Sequence, residues 1–426
     1  MTPEKVVLLF AYHYPPENVI GAARPYRFQK YLSRLGYRCE VLTAADQSCC
    51  PNSCVTYVGD PFAASSRANL AWQAERGVRK LFFPGALGFH WSFLACRAAR
   101  SLLSPEENAQ VTIYSTFPPI GPHLAALSLV RNRRWKWIAD FRDPLIHQMS
   151  DGRHHWLQSI AQSRLEKTIL AKADAVVVSN DGLERRWRST YPKLGDRISV
   201  IWNGYDPEDR IEERQLPERD FQLISHIGAL YGGRCISPLL ESVSRLVKTG
   251  RVARERIRIR LVGPVDRECL PSAKFLEQAK CDGWLEIIPH QVPQLEARGM
   301  AQESNALLLI QPHSTVQVPG KLFEYLRLKR PILAYILPGS PIEEILRRSG
   351  ANYRCVYADA SAEEIDSSLE TFVKQKERSS ETNAWFADKF NGRKQAEDLG
   401  KLIQSLHSPR TQVAQTPVRT VPQTND

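Results

Sequence analysis

Two short segments carry the residue types that handle an anion. Gly228-Ala229-Leu230-Tyr231-Gly232-Gly233-Arg234-Cys235 follows the apolar run Phe221–Ile227, and Val318-Pro319-Gly320-Lys321-Leu322-Phe323-Glu324-Tyr325 follows a second run, Ala306–Ile310. Glycines let a backbone approach an anion closely, and an arginine forks onto phosphate oxygens. The glycine spacing mimics a Walker A phosphate loop, but Arg234-Cys235 stands where that loop has Lys-Ser or Lys-Thr, which removes the hydroxyl that would hold magnesium. The same glycines serve equally well as a tight strand-to-helix turn. In the second segment Pro319-Gly320 opens a helix, so free N–H groups point out beside Lys321. Glu324, three residues on, is placed to grip two sugar hydroxyls. Alone, Lys321 and Glu324 read as a solvated helix face; beside a glycine-rich loop at the carboxyl end of another strand of the same sheet, they read as a nucleotide cleft.

Absences narrow the chemistry. There is no G-x-G, so the dinucleotide fingerprint is missing, and no D-x-D to clamp a metal against a nucleotide diphosphate. Cys49, Cys50 and Cys54 lie in a Ser/Pro/Asn loop without a C-x2-C pair or a matching histidine cluster, so a plain loop is preferred over a zinc site. No metal and no cofactor are expected.

The elements that must position these residues alternate. Strand-like runs at Val6–Ala11, Cys39–Thr43, Val111–Ser115, Lys136–Ala139, Ala175–Val178 and Arg197–Ile201 are separated by helical stretches at Ala22–Leu35, Trp91–Leu103, Pro122–Val130, His154–Ala171 and Gly182–Thr190. The pattern restarts at Phe221–Ile227 and continues through Ile257–Val262, Leu285–Ile288, Ala306–Ile310, Ile332–Tyr335 and Tyr353–Val356. Such alternation predicts parallel sheets covered on both faces. Two sets split by the polar Asn203–Arg219 predict an α/β protein of two doubly wound, Rossmann-like domains facing a cleft. The segment 408–426, rich in Thr, Gln, Pro and Val without periodicity, reads as a disordered tail.

The 426 residues are 43 % apolar and 24 % charged, an ordinary globular composition with room for two or three cores. No apolar run reaches the ~20 residues of a membrane span. The start of the chain is too short and wrongly flanked for a signal peptide, and nine scattered cysteines read as reduced thiols, which predicts a cytoplasmic protein. The net charge of +11 is uneven: residues 1–200 hold 26 Lys and Arg against 16 Asp and Glu. A basic half suggests an anionic partner, a lipid surface or nucleic acid. Aromatic and basic residues interleave at Arg79-Lys80-Leu81-Phe82-Phe83, Leu87–Trp91 and Arg131–Trp137. These read as core or as a membrane-interface face, and no nucleic-acid-binding module accompanies them.

Five segments together resemble a family 4 glycosyltransferase of the GT-B fold, the group that builds bacterial surface polysaccharides. They are Tyr14-Pro15-Pro16-Glu17-Asn18 with Gly21-Ala22-Ala23-Arg24; Trp137-Ile138-Ala139-Asp140-Phe141-Arg142-Asp143-Pro144; Ala173–Ser179 with Val200–Asp206; the Gly228 loop; and the Gly320 block. The resemblance spans about residues 5–405. It implies an acceptor-binding domain at 1–202, a nucleotide-sugar-binding domain at 203–385 and a helix at 386–407 that crosses back onto the first domain.

It further implies a retaining transfer from a nucleotide sugar to a glycan or lipid-linked acceptor, on or near the inner face of a membrane, with no nucleic acid. His123, Arg234 and Lys321 are the implied catalytic residues. Gly21, Gly228, Gly232, Gly233, Gly320 and Glu324 would bind the donor, and Asp140 and Arg142 would lie on the acceptor side. His13 is assigned to packing. One departure stands out: similar enzymes place a sugar-binding glutamate eight residues before the ribose glutamate, where this chain has Val316. A GT-B sugar-nucleotide epimerase and an inactive glycosyltransferase-like scaffold subunit are the alternatives.

Overall fold

The computed structural model describes residues 3–17, 19–44, 53–60, 88–103, 109–130, 135–145, 156–375 and 380–408. Strands buried on both faces read as unbroken apolar runs, and β1 (Lys5–Phe10) is of this kind, with Val6 through Phe10 all fully buried. It is joined in one parallel sheet by β2 (Arg38–Thr43), β3 (Val55–Tyr57), β4 (Gln110–Phe117), β5 (Lys136–Phe141), β6 (Ala175–Val178) and β7 (Ile198–Val200), in the order β3-β2-β1-β4-β5-β6-β7. The second parallel sheet comprises β8 (Gln222–Ile227), β9 (Ile257–Val262), β10 (Leu285–Ile288), β11 (Ala306–Gln311), β12 (Ile332–Ile336) and β13 (Tyr353–Tyr357), in the order β10-β9-β8-β11-β12-β13.

In each sheet the order reverses once, between β1 and β4 and between β8 and β11. Helices cover both faces, and each sheet has a core on either side. The expected α/β architecture of two doubly wound domains is the observed one. At such a reversal two neighbouring loops diverge from the carboxyl ends of the strands and leave a crevice. The loops after β8 and β11 are the two glycine-containing segments singled out in the sequence.

The segment expected as one crossover helix is two, Ala384–Lys389 and Gly392–His407. The break is at Asn391, whose side chain accepts from the Arg393 N–H at 2.9 Å and starts the second helix. That helix returns to the first domain, where Ala396, Leu399 and Ile403 share a core with Val7, Leu9 and Tyr31. The outgoing chain pairs with it: the Tyr205 N–H donates to the Phe390 carbonyl at 3.0 Å and the Gly392 N–H to the Tyr205 carbonyl at 2.9 Å. Strand β3 was not expected, because three residues carry no legible alternation. Cys49, Cys50, the Arg79–Phe83 cluster, Arg131–Arg134 and all but the first residue of the expected tail lie outside the described residues.

Candidate active site

The crevice of the second domain is built from β8, β11 and the helix Lys321–Arg327. Beyond the end of β8 the chain must turn sharply, and Gly228 does so at φ +123°, a conformation side chains rarely adopt. A Cβ there would lie 2.7 Å from the Lys321 ammonium, so the glycine also leaves room for that cation. Gly232 and Gly233 both take positive φ and deliver Arg234 back to the crevice. The Arg234 guanidinium stacks on Tyr231, 4.5 Å from the ring centre, and its Nε–H donates to Gln311 Oε1 at 3.1 Å.

Lys321 is held by His226. The His226 Nδ1 lies 2.9 Å from the Leu308 carbonyl, which can only accept, so Nδ1 carries the proton and Nε2 offers a lone pair. Lys321 Nζ donates to that lone pair at 3.1 Å. Burial, reinforced by nearby Arg234, lowers the Lys321 ammonium to about 7. Among the described residues neither Lys321 nor Arg234 forms an ion pair with a carboxylate. Two cations converge on one crevice with no carboxylate bonded directly to either, although Arg234 feels the charge of Asp143.

Glu324 lies one turn along the same helix, 41 % exposed, with one oxygen 3.3 Å from Arg298 Nη2. Arg298 is itself forked onto Asp209 at 3.0 and 2.6 Å, so Glu324 is steadied and keeps acceptor capacity toward the crevice. Gly320 precedes the helix in right-handed geometry and closes its first turn.

On the first domain, a Cβ on Gly21 would sit 3.1 Å from Arg142 Nη1, so the absent side chain permits the close approach of arginine and loop. Arg142 donates from Nε to the Phe117 carbonyl at 3.2 Å and from Nη2 to the Pro118 carbonyl. His13, assigned to packing from sequence, is instead part-exposed beside Gly21 and bonds Glu17 at 2.7 Å. The two domains touch across the cleft. Asn180 Nδ2 donates to the Val316 carbonyl at 2.9 Å, and Gln317 Nε2 donates to Asp143 Oδ1 at 3.2 Å.

Two expected site residues are not in the cleft. His123 is fully buried; Nδ1 shares a 2.7 Å bond with Ser115 Oγ, and the ring packs between Phe117, Phe141 and Trp137. Burial lowers it to about 3, so it is neutral and serves the core. Asp140 is also fully buried. It accepts from Arg24 Nε at 2.9 Å and Nη2 at 2.8 Å, from the Tyr114 hydroxyl at 2.5 Å and from Thr116 at 2.9 Å. Burial alone would raise its carboxyl, but Arg24 and these donors hold it below the usual range. Arg24 continues to the Ile201 and Trp202 carbonyls at 2.8 and 2.7 Å, so Asp140 is the centre of a knot tying the interdomain linker to the first sheet.

His226, Gln311 and Gln317 were missed, since nothing local in the sequence marks them. Trp91 and Trp137 are fully buried core residues rather than an interface belt. The exposed apolar pair of that region is Phe93 and Leu94, on the helix Phe89–Leu103 that also exposes Arg97 and Arg100. Among the described residues no three His, Cys, Asp or Glu gather as metal ligands, and no helix is long and apolar enough to cross a membrane.

Residues 24–209, most of the first domain and the start of the linker, match the sequence model of Glycosyltransferase Family 4. The first domain thus carries a glycosyltransferase family 4 match. Solved structures agree on the fold. The catalytic domain of starch synthase IV from Arabidopsis thaliana, bound to ADP and acarbose, aligns at TM-score 0.60 and 11% identity over 95% of this chain and 99% of that one. An α,α-trehalose-phosphate synthase from Burkholderia xenovorans aligns at 0.61 and 12% over 94% and 100%. Anabaena Alr3699/HepE in complex with UDP-glucose aligns at 0.56 and 13% over 94% and 99%. A search of curated proteins finds no significant match. The chain thus has the two-domain GT-B architecture of these structures.

Proposed function

We propose that this chain is a glycosyltransferase that transfers a sugar, with retention of anomeric configuration, from a nucleotide sugar to a glycan or lipid-linked acceptor in cell-surface polysaccharide synthesis. The observation that carries the donor side is the pair of cations Lys321 and Arg234, neither in direct contact with a carboxylate among the described residues, converging where Gly228 opens the backbone. The anomeric C–O bond to the diphosphate breaks and its electron pair leaves with the phosphate oxygen. The acceptor oxygen attacks the same face of the sugar and passes its proton to that leaving oxygen. Negative charge grows on the diphosphate, and preorganised cations stabilise growing charge better than they stabilise the ground state. Lys321 and Arg234 supply this without a divalent metal. Glu324 takes the ribose hydroxyls, Gly21, Gly232, Gly233 and Gly320 give the donor close access to backbone, and Arg142 faces the acceptor.

Calorimetric titration with UDP, ADP and GDP, with and without EDTA, tests the donor site. Binding of at least one diphosphate that survives chelation and falls about ten- to a hundredfold in Lys321→Met or Arg234→Ala supports it. Unchanged binding in both variants, or its loss on chelation, refutes it.

Peripheral attachment to anionic membrane is part of the same reading. Phe93 lies four residues before Arg97 and seven before Arg100, all exposed on one helix with Leu94 beside them. An apolar pair flanked by cations suits a headgroup region, at about 1 kcal/mol per well-placed cation. Sedimentation with phosphatidylserine vesicles should weaken when Arg97 and Arg100 are changed to Glu; equal binding refutes the attachment.

A further inference from the structure

The cleft contains a continuous line of hydrogen bonds that joins the first domain to one of the two cations of the second. Arg234 Nε–H donates to Gln311 Oε1 at 3.1 Å, Gln311 Nε2–H donates to Gln317 Oε1 at 3.1 Å, and Gln317 Nε2–H donates to Asp143 Oδ1 at 3.2 Å. A guanidinium can only donate and a carboxylate can only accept, so both ends of the line are unambiguous. Those ends orient both carboxamides, each with its oxygen toward Arg234 and its NH2 toward Asp143. The dipoles align head to tail from cation to anion, the arrangement in which successive bonds polarise one another.

The segment carrying Gln317 is held firmly. The Ser314 hydroxyl accepts from the N–H groups of Val316 and Gln317 at 3.3 and 3.1 Å, and Asn180 clamps the Val316 carbonyl from the other domain. Asn180 is 1 % exposed and also caps the helix Asp181–Thr190 by accepting from the Leu183 N–H at 2.8 Å, so it is a fixed reference point. Gln311 is fully buried. Position 316, where similar transferases carry a sugar-binding glutamate, is used here through its backbone, and the polar side chain stands one residue later.

Resting on the diphosphate reading of Arg234, we propose that Gln317 is a positioning residue that couples domain closure to the donor site. When the cleft is closed, Asp143 orients Gln317, Gln317 orients Gln311, and Gln311 fixes the Arg234 guanidinium. When it opens, the contact with Asp143 breaks and both amides are free to turn, so Arg234 loses its single orientation. Diphosphate binding and closure therefore favour one another, as linkage requires of two events that share an intermediate element. A glutamine is needed at 317: a glutamate could accept from Gln311 but would face the Asp143 carboxylate without a proton to give.

The test is UDP titration calorimetry with small-angle scattering of the full-length protein, free and with saturating UDP. Q317A should weaken UDP about three- to tenfold, and Q317E about tenfold or more, with loss of the UDP-dependent contraction in both. D143N should stay within about twofold, since an amide oxygen still accepts. The double variant D143N/Q317E exchanges donor and acceptor across the cleft, so it should regain affinity to within about threefold of the parent and recover the contraction. Failure of the double variant to improve on Q317E overturns the proposal. So does parental UDP binding by Q317A while Arg234→Ala is weakened, an outcome that leaves the diphosphate site standing. Parental binding by Arg234→Ala would instead remove the diphosphate assignment, and the coupling with it. Equal melting temperatures among the variants identify losses that come from positioning rather than from unfolding.

Discussion

The proton on Lys321 should tie donor binding to pH. A lysine in water stays charged to pH ~10, but this one sits at about 7, through burial and the nearby Arg234 guanidinium. A diphosphate needs the ammonium form and, once bound, supplies the negative charge that restores it, so binding takes up a proton above neutrality. The free protein is about one-quarter protonated at pH ~7.5 and about one-thirtieth at pH ~8.5. Affinity for UDP should therefore fall about eightfold, about 1.2 kcal/mol, across that unit. The terminal phosphate of UDP loses its second proton near pH ~6 and contributes little in this window. Calorimetry in buffers of different ionisation enthalpy reads the coupled proton directly, and close to one per UDP is expected at pH ~8.5. Lys321→Met should bind more weakly with a flat profile. A parent protein whose affinity is level from pH ~7.5 to ~8.5, with no proton uptake, refutes the account of Lys321 as a buried, diphosphate-facing cation.

Gly228→Ala should cost about tenfold or more in UDP affinity, because the new methyl meets Lys321 Nζ at 2.7 Å on a backbone held at φ +123°; titration of the variant checks it. Asp140→Asn should destabilise the protein by about 3–5 kcal/mol in urea unfolding, since it removes the charge opposite a 2 %-exposed Arg24. His123, held at about 3, binds no proton in the folded protein where the unfolded chain already does. The contribution of His123 to stability should be level above pH ~6.5 and fall by about 1.4 kcal/mol per unit as pH drops toward ~4, and His123→Phe should reduce the acid slope of unfolding by that amount.

The sequence alone was enough for the architecture, for a plain physical reason. Strands covered on both faces show as uniform runs such as Val6–Phe10 and Leu307–Ile310, and a helix-sized stretch must separate any two parallel neighbours. It was also enough to single out the two glycine-containing loops at the reversal of the second sheet, since a sharp turn at a strand end favours glycine, as at Gly228 with φ +123°. Residue type could not say which way a polar side chain turns. Asp140 and Arg142 are two apart in one segment, yet the first is drawn under the sheet by Arg24 and the second lies beyond the strand end, beside Gly21. His123 belongs to an aromatic cage assembled from β4 and β5.

The partnerships that give the site its character are long-range. His226 meets Lys321 across 95 residues, and Asp143 meets Gln317 across 174. Those distances close only because β8 lies beside β11 and the two domains face one another. A hydrogen bond has no trace in local composition when its two ends are brought together by strand order and domain packing, so tertiary structure alone decided which of the polar residues form the site.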